Sequence, residues 1–158
     1  MVIPLNISHR VQKLEYAIRD VVGHAKYLEK IGKKMIYLNI GDPLQFDFQT
    51  PEHIKEALIQ AVKDGKNSYS PSEGIPELLD AICKKEKRVG KFDVLPENVL
   101  VSNGVSEAIQ MVLGALVESG DEVLIPGPAY PPYISYTEFF GGKAIQYKTN
   151  EDDGWQPD

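Results

Sequence analysis

The sequence predicts an α/β fold in which a mainly parallel sheet is flanked by helices and preceded by an N-terminal arm and helices. Two observations predict it. From Val99 onward the chain alternates strand, helix, strand, helix and strand: "VLVSN", an apolar run through Met111, Val112, Leu113 and Leu116, "DEVLIPG", a helix opened by "PAYPPY", and "KAIQYKT". Successive strands separated by helix-length crossovers pair in parallel. Ahead of that region, apolar residues recur at helical rather than strand spacing, which places helices before the sheet.

In chain order, the first fifteen or so residues read as an irregular arm. Ile18, Val21, Val22, Ala25 and Leu28 then form one helical stripe that stops at Gly32. "MIYLNI" reads as a short strand broken by "GDP". Thr50 followed by Pro51 is an N-cap and first-turn signal for a helix whose stripe is Ile54, Ala57, Leu58, Ala61 and Val62, ending at Gly65. A second helix carries Ile75, Leu78, Leu79, Ile82 and Cys83, opens at Ser72 to Pro76 and closes near Gly90. The helix after "VLVSN" is apolar nearly all round, so burial is expected for it. "NEDDGWQPD" reads as a strand exit and a fresh helix N-terminus, with Pro157 in the first turn. A parallel sheet usually has about five strands with helices on both faces. The strands legible here fall short of that, so the expected layer is incomplete.

With 158 residues the chain is long enough for one domain with a buried core. Its 42% hydrophobic and 25% charged residues are those of an ordinary globular protein. The formal charge of −6, with Lys and Arg dispersed, argues against a nucleic-acid partner, whose phosphates need clustered cations. The single Cys83 excludes an internal disulfide framework and a multi-cysteine metal site, and its place on an apolar stripe reads as core. The N-terminus lacks a signal-peptide pattern and no stretch has membrane-spanning length, so the expected location is cytoplasmic.

Four stretches carry candidate chemistry. In "VSNGVSEAIQ", Gly104 stands where a strand gives way to a helix. Backbone N–H groups of Gly104, Val105 and Ser106, with the Ser106 hydroxyl, could hold an anion there. The plain alternative is a tight turn capped by Asn103 or Ser106. "LNIGDP" ends a strand at Gly41, whose backbone could meet a ligand or merely form a turn. Tyr69 in "NSYSPSEGIPEL" could donate to a phosphate or face solvent. Tyr130 in "PGPAYPPY" lies just past the C-terminal end of a strand, where α/β folds bind ligands. Its ring could stack on a planar group or simply pack in a proline-stiffened turn.

Taken together, in this order and spacing, these stretches resemble the class I/II aminotransferases, which are fold-type I enzymes dependent on pyridoxal 5′-phosphate. "EYAIRDVV", "LNIGDP", "FDFQTPEHIKEA", "SEGIPEL" and "PGPAYPPY" resemble the archaeal-type alanine aminotransferases most closely. The resemblance covers about Glu15 to Asp158. It implies that residues 1–45 are an arm and small-domain segment and that residues 46–158 are the first part of the cofactor-binding large domain. It also implies that Gly104, Val105 and Ser106 hold the cofactor phosphate and that Tyr130 stacks on the pyridine ring. Tyr69 would reach the phosphate of the neighbouring subunit in a homodimer, and the Gly41 backbone would lie by the substrate carboxylate. The implied substrates are a small amino acid, alanine first, and a 2-oxo acid such as 2-oxoglutarate.

The same resemblance implies what is missing. The family's Schiff-base lysine, the aspartate at the pyridine nitrogen and the arginine that clamps the substrate carboxylate all match positions downstream of Asp158. No catalytic residue is therefore expected among these 158, and Lys63, Lys66 and Lys143 read as surface charges. The chain by itself is expected to lack activity and to expose strand edges and apolar helix faces. Two other functions stay open: a non-catalytic α/β piece that binds a phosphorylated ligand or a complementing chain, and an unrelated nucleotide-binding domain.

Overall fold

The computed structural model describes residues 6–12, 17–39 and 41–158, residues 17–20 by their backbone alone. Residues 1–40 together with 103–158 form one unit, and residues 41–102 form another.

In the first unit the arm is not wholly irregular. Ser8 accepts bonds from the Val11 and Gln12 amides and opens a single helical turn, α1 (His9–Gln12). Helix α2 spans Ala17–Lys30 and buries Ala25, with Val22 and Leu28 half-buried; the expected Ile18 lies among the residues whose side chains are not described. It ends where Gly32 takes φ 84° and the Lys33 amide bonds back to the Leu28 carbonyl at 3.0 Å. Residues 35–39 of the expected strand "MIYLNI" join no ladder, and Ile40 lies outside the described residues. An extended segment becomes a strand only when a neighbour takes up its backbone groups.

Helix α5 (Gly104–Leu116), strand β1 (Glu122–Gly127), helix α6 (Pro131–Phe139) and strand β2 (Lys143–Asn150) follow as expected. β1 and β2 pair in parallel, from Glu122 opposite Lys143 to Gly127 opposite Lys148. The core of this unit, with Ala25 of α2, is Ile109 of α5, Ile125 of β1, and Pro132 and Thr137 of α6. The expected burial of α5 does not occur: Ile109 is its one buried side chain, whereas Leu116 is 74% exposed and Val112 and Met111 are also open. Among the described residues β1 has β2 as its one sheet neighbour, so no further layer covers the remaining apolar surface of α5.

The expected helix start at the C-terminal end is a hairpin instead. The Asn150 side chain accepts from the Asp152 amide, Gly154 turns the chain at φ 62°, and β3 (Gln156–Pro157) returns antiparallel to β2. Pro157 sits in this edge strand, where its missing N–H is tolerated.

In the second unit, α3 (Glu52–Lys63) and α4 (Pro76–Val89) form where the stripes predict them. Pro51 rather than Thr50 occupies the N-cap of α3, with no side-chain cap bond. Cys83 is half-buried, short of the core position expected for it. Val99 is extended, but Val99 to Ser102 forms no sheet strand: the Val101 amide bonds to the Glu73 carbonyl at 2.8 Å, tying it to the loop before α4.

Candidate functional site

Gly104 opens α5 with φ 77°, a left-handed conformation that glycine adopts without penalty. A Cβ built on it would meet nothing within 4 Å, so the turn faces open space. Val105, 63% exposed, and Ser106 follow in the first helical turn. A helix's first turn offers amides that the helix itself does not use, and the helix dipole adds partial positive charge there.

The side-chain cap that the plain alternative gives to Asn103 does not form. Asn103 stands at the N-cap without a side-chain cap bond; instead its own amide donates to the Glu107 carboxylate. Glu107 thus takes up the amide just before the glycine. Composition alone did not single out Glu107, although an acidic residue in a first turn is the usual complement of the dipole.

Tyr130 is the N-cap residue of α6, three residues past the end of β1, and 41% of it is exposed. Its ring meets that of Tyr133 edge to face, with centroids 6.0 Å apart and planes at 85°. The Tyr133 amide donates to the Tyr130 carbonyl at 3.1 Å, so the turn itself sets where the ring starts. α5 and α6 pack against each other. The structure therefore gathers the Gly104–Ser106 turn and Tyr130 on paired helices of one unit.

Gly41 and Tyr69 are carried by the other unit. Gly41 is exposed, and Asp42 beside it is committed to structure, its carboxylate accepting from the Leu44 amide at 3.1 Å and from Gln45 Nε2 at 3.0 Å. Tyr69 projects fully into solvent, at 106% exposure, from the loop between α3 and α4. Lys143 behaves as the expected surface charge, paired with Glu122 across β1 and β2 at 3.0 Å.

The chemistry of this arrangement fits a flat, anionic group: amides and a hydroxyl at a helix N-terminus, and an exposed aromatic ring on the next helix. Residues 33–158 match the family model described as aminotransferase class I and II. The chain belongs to the class I and II aminotransferase family. That family is pyridoxal phosphate-dependent, and the structural relatives have its fold type I.

Among solved structures, alanine aminotransferase from Pyrococcus furiosus is 54% identical with a TM-score of 0.91, over 97% of this chain and 39% of that one. Aspartate aminotransferase from Thermus thermophilus with maleate is 35% identical with a TM-score of 0.85, over 98% and 40%. The alanine aminotransferase of Mycobacterium tuberculosis is 41% identical over 96% of this chain and 35% of its own length. This aminotransferase chain thus spans well under half the length of the relatives it matches. No helix among its described residues is long and apolar enough to cross a membrane.

Proposed function

We propose that this chain is the N-terminal part of an aminotransferase that moves an amino group between a small amino acid, alanine favoured, and a 2-oxo acid such as 2-oxoglutarate. The observation that carries this reading is the open, positive-φ turn at Gly104 beside exposed Val105 and Ser106, on a helix packed against the one that Tyr130 opens. Relatives named as alanine aminotransferases support the choice of substrate.

In this reading Gly104, Val105 and Ser106 hold the cofactor phosphate, because a helix N-terminus stabilises a dianion without a cationic side chain. Tyr130 lends its ring to the pyridine, fixing the plane in which the cofactor is held. When bound, the cofactor supplies an electron-withdrawing ring that stabilises negative charge at the substrate's α-carbon. Gly41 offers its backbone to the substrate carboxylate. Tyr69, fully exposed in the structure, reaches the phosphate of a neighbouring subunit, so the working form is a homodimer, acting in the cytoplasm. Residues 1–45 are the arm and small-domain segment, and residues 46–158 begin the large domain.

The test is cofactor affinity in the intact enzyme. Ser106→Ala is expected to weaken it by about 1.5–3 kcal/mol, the usual worth of a hydrogen bond to a charged group. Unchanged affinity removes Ser106 from the phosphate site. Alanine should outrun aspartate as amino donor; the reverse order would reassign the substrate.

The free edge of β1 and the open face of α5 favour a second reading, a non-catalytic piece that binds a phosphorylated ligand or pairs with a complementing chain. Phosphate binding by this chain without transamination in the intact protein would select it.

A further inference from the structure

The two halves of the candidate site stand on different helices, and the packing between those helices is thin. Ile109 is the one buried side chain of α5, and the groove beside it is lined by Ala108, Val112, Leu113 and Tyr133. Such apolar contact is non-directional and permits one helix to slide on the other. Directional contact is supplied by Gln110 of α5, whose Nε2 donates to the Tyr136 hydroxyl of α6. Farther along, Gly114 lets the Phe140 ring close on α5, where an added Cβ would lie 3.1 Å from its Cζ.

We infer that Gln110 and Tyr136 are positioning residues, a clasp that sets the register between the phosphate-binding turn and the Tyr130 ring. The inference rests on the reading above of Gly104–Ser106 and Tyr130. Spacing supports it on both sides. Gln110 lies four residues after Ser106, one helical turn below it on the same face. Tyr136 lies three residues after Tyr133, whose ring abuts that of Tyr130. The hydrogen bond therefore ties the helix that bears the phosphate turn to the helix whose opening residues, Tyr130 and Tyr133, meet edge to face. A shift of one helix along the other would move phosphate donors and ring apart with no change in either.

The experiment measures pyridoxal 5′-phosphate affinity, the visible circular dichroism of the bound cofactor and the thermal midpoint in the intact enzyme, for Tyr136→Phe, Gln110→Met, the double variant, and Gln110→Glu. Tyr136→Phe removes the hydroxyl and keeps the ring, while Gln110→Glu keeps a partner for it. Each of the first two is expected to weaken cofactor binding about threefold to tenfold, as loss of one neutral hydrogen bond does. They should also alter the dichroic band, and the double variant should be no worse than the poorer single. Gln110→Glu should retain near-native affinity. Lowered thermal midpoints with unchanged affinity and dichroism would overturn the inference, leaving the bond a purely structural one. Ser106→Ala in the same series separates the two levels: if it weakens binding and the clasp variants do not, this inference alone falls. If Ser106→Ala has no effect, the phosphate reading falls and takes the clasp with it.

Discussion

The Thr149 hydroxyl donates to the Gly127 carbonyl at 2.8 Å, one residue beyond the last ladder pair of β1 and β2. It fastens the end of β1 from which the chain departs toward Tyr130. Gly127 itself lies close to β2, since an added Cβ would be 3.3 Å from the Tyr147 carbonyl oxygen. Thr149→Val keeps the shape and strands a part-buried carbonyl, so it is expected to lower stability by about 1–3 kcal/mol. Urea unfolding measures this, and Thr149→Ser should recover most of the loss. Equal stability of the valine and threonine forms would show that water satisfies the carbonyl.

Two glycines separate structural from functional demand. A Cβ at Gly142 would lie 2.6 Å from Val117 Cγ1 and 3.1 Å from Cγ2 of the buried Thr137. Gly142→Ala is therefore expected to destabilise by about 1–3 kcal/mol, as overpacking does, without a specific effect on cofactor affinity. At Gly104 space is open but φ is 77°, so alanine there costs about 1–2 kcal/mol in backbone strain. Gly104→Ala should in addition weaken cofactor binding, because the strained turn re-aims its amides. Paired measurement of unfolding and affinity checks both, and an affinity change confined to Gly142→Ala would reverse the assignment.

What was legible in the sequence follows from the range of the forces involved. Helices announced themselves through local stripes and stops: Gly32 and Gly90 end α2 and α4 where the pattern predicts. β1 and β2 were legible because their partners are each other, one crossover apart. "MIYLNI" and "VLVSN" have strand texture, yet their described residues, 35–39 and 99–103, join no sheet, because a ladder needs a neighbour that local pattern cannot supply. The apolar sequence of α5 likewise records a demand for burial that this chain leaves unmet. Within the site, Gly104, Ser106 and Tyr130 carried signals in their turn chemistry. The roles of Gln110, Tyr136 and Thr149 depend on contacts between elements, and no spacing along the chain encodes those.

Tyr37 offers a pH test of the segment after α2. Desolvation, then a hydrogen bond to Glu29 and the charge of that carboxylate, hold its phenol above the ordinary value of 10.0. A group whose pKa is raised by folding contributes stability in full below its unfolded value. That contribution is lost as pH climbs through the folded one. The contact between Tyr37 and Glu29 should thus persist at neutral pH and weaken in strong alkali. Phenolate absorbance, taken as the difference from Tyr37→Phe, should show a late-titrating tyrosine, and Glu29→Gln should bring it down. An unchanged titration in Glu29→Gln would leave desolvation as the whole cause.

The open apolar surface predicts how the chain behaves alone. Val105, Val112 and Leu116 of α5 and Leu124 of β1 are all more than half exposed, and among the described residues β1 has a single neighbour, β2. Edge pairing and apolar burial both favour association over a solitary state. Sedimentation of this chain is expected to show mass rising with concentration. Leu116→Lys, which places a charge on the helix where it is 74% exposed, should shift the distribution toward smaller species at little cost in stability. A concentration-independent compact monomer for the parent chain would mean that these faces are covered in solution by a rearrangement of the chain itself.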